Sequence, residues 1–87
     1  MKVKKVIYKN IPKKENALGI AYNDIELDPK HKVGTIEIEK NQTPFNILDV
    51  EIHEFIHMHY PEIPEESVRK MGTRLAKFLW KLKYRKQ

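Results

Sequence analysis

Eighty-seven residues, 40% of them hydrophobic and 33% charged, suit one modest folded domain spanning 1–87 rather than a disordered chain. A net charge of +5 directs attention to anionic partners, and the absence of cysteine excludes a disulfide framework and any thiolate metal site. The apolar stretch behind the basic start, "VIY", is too short for a secretory leader, and no run approaches a membrane span, so a soluble intracellular protein is expected.

In chain order, "VKKVIYK" (about residues 3–9) is rich in β-branched and aromatic residues and predicts a first strand. "NIPKKEN" is a turn or short loop punctuated by Pro12 and Asn16. "ALGIAYNDIEL" (17–27) predicts a second strand, with Gly19 as a bulge or close approach. Asp28-Pro29 favours a reversal, and His31 among its lysines there reads as a surface histidine. "VGTIEIEK" (33–40) alternates Ile36 and Ile38 with Glu37 and Glu39, predicting a third strand with one wet face.

Thr43-Pro44 then has the form of an N-cap followed by proline at the first helical position. Helices are predicted over about 45–60 and 65–84, separated by "PEIP". So short a connection implies an antiparallel helical hairpin. The second helix should bury a stripe of Val68, Met71, Gly72, Leu75, Phe78, Leu79 and Leu82. Gly72 would allow close helix contact opposite the first helix's histidines, and Trp80 reads as a packing residue. The expected class is α+β, a three-stranded antiparallel sheet followed by a two-helix hairpin.

Chemistry concentrates in "HEFIH", residues 53–57. Residues four apart lie on one face of a helix, so His53 and His57 can offer imidazole nitrogens to one metal ion. Glu54 is offset by about 100° and flanks the pair, placed to take a proton from water without binding metal. A third ligand is needed for a catalytic zinc site. Glu65 heads the apolar stripe of the second helix and is preferred, ahead of Glu62 and His59. A tight hairpin, however, would set Glu65 level with Tyr60, a turn away from His57. Tyr60, His59 and Tyr22 are candidates to assist at an oxyanion.

The stretch "HEFIHMHYPEIPEESVRKMGTRLAKFLWKL", with "LGIAYNDIELDP" upstream, resembles the small HExxH metallopeptidases of bacteriophages and prophages. The resemblance implies a minimal zincin-like fold, zinc (Zn2+) on His53 and His57, Glu54 as general base, and Glu65 completing the site. A zinc-activated water with Glu54 as base would attack a peptide carbonyl, so a polypeptide substrate is expected, its identity not supplied by the resemblance. The expected location is cytoplasmic, in a bacterial, archaeal or phage-infected host cell. Two features depart from the pattern: the long arm "KHKVGTIEIEKNQ" and Pro64 in place of a Ser or Asp cap. The competing expectation is a non-catalytic basic module that binds nucleic acid or protein through the cations of the second helix, with any zinc structural or vestigial.

Overall fold

The computed structural model of the protein describes residues 3–22 and 33–84. The turn at 28–32 with His31, and residues 23–27 of the expected second strand, lie outside the described residues. Strands β1 (Lys5–Lys9), β2 (Gly19–Ala21) and β3 (Thr35–Glu39) precede helices α1 (Pro44–His59) and α2 (Glu65–Lys81). This is an α+β arrangement, and no helix is long and apolar enough to cross a membrane.

The sheet is mixed, not wholly antiparallel as expected. Its order is β1-β3-β2: β1 runs parallel to β3, from Lys5 opposite Thr35 to Lys9 opposite Glu39, and β2 runs antiparallel to it. The strand with the strongest alternation takes the centre. Ile36 and Ile38 are 3% and 0% exposed, and Glu37 is only 5% exposed. The face expected to be wet is therefore closed at Glu37, which accepts a hydrogen bond from Tyr22 Oη (3.1 Å) with Lys9 Nζ 3.7 Å away. Val6 and Tyr8 of β1 are about two-fifths exposed, as suits an edge.

Residues 10–18 carry the chain past the end of β3, a gap of two strand spacings or about 10 Å. A 3-10 turn, Lys13–Glu15, ends at Asn16 in the left-handed region (φ 48°). Glu39 ties this crossing to β3: the amides of Asn41 and Ile11 both donate to its carboxylate and hold its pKa below the ordinary value. Gly34 (φ 90°) stands in the turn entering β3, where its carbonyl accepts from Lys4 N at 2.8 Å.

α1 starts as its sequence dictates. Thr43 Oγ1 accepts from Asn46 N at 3.2 Å, and Pro44 occupies the first turn, where its missing amide costs nothing. α2 has no side-chain cap and relies on Glu65 and Glu66 against its N-terminal dipole. It ends at Lys81, short of the expected residue 84. There Lys83 turns left-handed (φ 67°), and the amides of Lys83 and Tyr84 return to the carbonyls of Trp80 and Leu79.

The helices are antiparallel: Phe45 meets Trp80, Asp49 meets Thr73, and His57 meets Glu65. α1 lies between the sheet and α2, and among the described elements α2 packs on α1 alone. Ile36, Ile38 and Met58 form the core, with Ile47 and Val50 of α1 packed against it. Because α2 has one neighbour, it buries only Val68, Gly72 and Ala76. Met71, Leu75, Phe78 and Leu82, expected inside, are 43–58% exposed.

Candidate metal centre

α1 presents His53 and His57 on one side, with ring centroids 4.6 Å apart and Nε2 atoms 3.0 Å apart. Across the hairpin, Glu65 Oε1 lies 3.0 Å from His53 Nε2, and Glu65 Oε2 lies 2.7 Å from His57 Nε2. Asp49–Thr73 and His57–Glu65 share one helix register, so Glu65 sits level with His57 rather than with Tyr60, and the expected mismatch does not arise. Gly72 lies at this contact. A Cβ there would already be 3.7 Å from the backbone of His53, so the helices meet closely opposite the pair.

The three donors fit a zinc ion. They are two imidazoles and a carboxylate, all within 4.8 Å of one another. Tetrahedral zinc with bonds of about 2.0–2.1 Å sets its ligands roughly 3.3 Å apart, so the observed separations of 2.7–3.0 Å need only open by about half an ångström to admit it. Of the other candidates, His59 stacks on Phe55 (4.3 Å), and neither it nor Glu62 joins the cluster. The oxyanion candidates also lie elsewhere. Tyr22 Oη bonds Glu37, Tyr60 is exposed, and none of the three lines the cleft.

The imidazoles are mostly buried and Glu65 is about half exposed, so the cluster opens into a cleft of about 720 Å³. One wall is the β2 segment, and the other carries His53, His57, Glu65 and Arg69. Burial pushes the His53 pKa down, with the nearby Glu65 charge pulling it partly back. The result favours the neutral imidazole that metal binding requires. Glu54 also lines the cleft, 7% exposed, and burial, reinforced by the charge of Glu65, raises its pKa to about 7.

Glu54 owes its position to a residue far away in sequence. A Cβ on Gly19 would stand 2.6 Å from Val50 Cγ1, 2.7 Å from Glu54 Cγ and 3.0 Å from Glu54 Oε2. A strand residue with any side chain would displace the acid. Gly→Ala at a tolerant site stabilises by about 0.4–1 kcal/mol through the unfolded chain, whereas overpacking costs about 1–3 kcal/mol. Overpacking wins, so Gly19→Ala is expected to lower stability by about 1–2 kcal/mol in urea denaturation. An unchanged midpoint would mean that β2 yields freely.

Asp49 and Arg69 complete the surroundings. Asp49 accepts from Thr73 Oγ1 at 3.1 Å and lies one turn before His53, and Arg69 Nη2 is 3.8 Å from Glu65 Oε1. Asp49 was legible in principle, since it stands four residues before His53 on the same helical face. Gly19 was legible as a close approach but not as one to Glu54, and Arg69 had no comparable signal, because both depend on elements brought together only by folding. No family model matches the chain, and no curated protein or solved structure is significantly similar to it.

Proposed function

We propose that the protein is a zinc-dependent metallopeptidase in which His53, His57 and Glu65 hold the ion and Glu54 is the general base. The observation that carries this reading is the convergence of two imidazole nitrogens and one carboxylate, from two helices, at 2.7–3.0 Å. When bound, zinc supplies a Lewis acid that acidifies water and polarises a peptide carbonyl.

The remaining work falls to the chain's own groups. Glu54, walled in beside Gly19 and with a pKa near 7, accepts the proton of the attacking water on its carboxylate and passes it to the departing amine. Edge strand β2 borders the cleft, and a polypeptide substrate can lie extended along it. A basic module without catalysis would leave the buried carboxyl of Glu54 at the cleft without a task.

The test is metal content by native mass spectrometry on protein purified without an affinity tag. One zinc per chain is expected in the parent and none in His53→Ala or Glu65→Ala. The zinc-loaded parent should then hydrolyse an unfolded polypeptide. Failure to take up zinc after reconstitution would refute the proposal.

A further inference from the structure

The side of α2 that α1 leaves uncovered has an order of its own. Met71, Leu75, Phe78 and Leu82 are 43%, 44%, 58% and 51% exposed. Their 4-3-4 spacing keeps them within an arc of about 60° and along about 16 Å of helix. That is the d-a-d-a spacing of a coiled-coil seam, one column wide. It is separate from Val68, Gly72 and Ala76, the set buried in the fold. A second column, Lys70, Arg74, Lys77 and Lys81, has the same spacing and lies about 100° further round the helix. Lys70 pairs with Glu66 at 3.4 Å, whereas among the described residues no acid pairs with Arg74, Lys77 or Lys81.

We infer that this face docks an amphipathic helix of a protein partner whose apolar seam is flanked by acidic residues. The apolar column supplies the knobs, and the cation column fixes the sign of the partner's flank. A second copy of the chain fits poorly. Antiparallel pairing would set Arg74 and Lys81 against the same residues of the other copy, and parallel pairing would direct Arg74 at the apolar Leu79 rather than at an acid. A lipid surface also fits poorly. Helices that lie in a bilayer interface present a broad apolar face with cations on both flanks, whereas this seam is narrow, half sunk among its neighbours and basic on one side. Nucleic acid would engage the cations and leave the seam in water.

The test uses the full chain and a fluorescent synthetic peptide of four heptads, with Leu at a and d and Glu at e and g, followed by anisotropy. Saturable binding is expected, weakened at least about tenfold by Leu75→Ala/Phe78→Ala and by Arg74→Glu/Lys77→Glu/Lys81→Glu. The charge-reversed variant should instead bind the matching peptide with Lys at e and g. All these positions are exposed, and unchanged circular dichroism and melting would show that the variants fold. Lack of saturable binding, or binding that survives both variants, overturns the inference. So does seam-dependent binding to phosphatidylserine vesicles or duplex DNA with none to the peptide. A dimer in sedimentation equilibrium that Phe78→Glu dissociates overturns it as well, since a second copy would then cover the seam.

Discussion

Glu54→Gln is expected to make the metal-free protein more stable above neutral pH while reducing peptide hydrolysis by about 10²–10⁴-fold. In the fold the Glu54 carboxyl titrates at about 7, against an ordinary value of 4.5. Between those values the native state holds a proton that the unfolded chain has released. The stability supplied by the neutral carboxyl is therefore complete below pH 4.5, declines as pH rises to about 7, and is gone above it. The shift corresponds to a ceiling of about 3 kcal/mol. A neutral amide of the same shape removes the decline. Urea denaturation in the presence of a chelator, from pH 4.5 to 8.5, should show the parent losing stability relative to Glu54→Gln along this window, the difference opening between pH 4.5 and about 7. Parallel curves would mean that Glu54 is ionised at little cost, and the electrostatic account of its burial would fail.

Zinc is expected to raise the melting temperature by roughly 15–30 °C at a thousandfold excess over its dissociation constant. Binding to the native state alone at that excess contributes about 4 kcal/mol, and each kcal/mol moves the midpoint of a domain this size by roughly 4–8 °C. The shift should vanish in His53→Ala and in Glu65→Ala. Because burial lowers the pKa of His53, protons compete less for that nitrogen than for an ordinary imidazole, and the zinc-dependent shift should persist below pH 6.5. Differential scanning calorimetry with and without a chelator checks both. A shift of the same size in the His53→Ala variant would place the metal elsewhere.

Local chemistry was the most legible part of this sequence. Thr43-Pro44 announces the start of α1, and His-Glu-x-x-His carries its geometry with it, because helical spacing alone puts His53 and His57 side by side. Glu65 could be singled out as an acid heading an apolar stripe. What escaped was decided by contacts between distant segments. The place of β3 at the centre of a mixed sheet depends on which strands cover which. The same competition buried Glu37, which alternation alone assigns to solvent. Gly19 looks like any strand glycine until α1 brings Glu54 against it. The apolar periodicity of α2 was read correctly as periodicity, but its division into an inward and an outward half could not be seen, because one neighbouring helix covers only one of them.

All three candidate ligands and Glu54 fall between residues 53 and 65 on a single helical hairpin. Joining the ends of so short a segment costs little chain entropy, far less than aligning β1 with β3 across the length between them. The donors can therefore meet before the sheet exists. A metal captured that early acts on the transition state as well as on the finished fold. Its contribution should then appear mainly as faster folding, with the unfolding rate comparatively little changed.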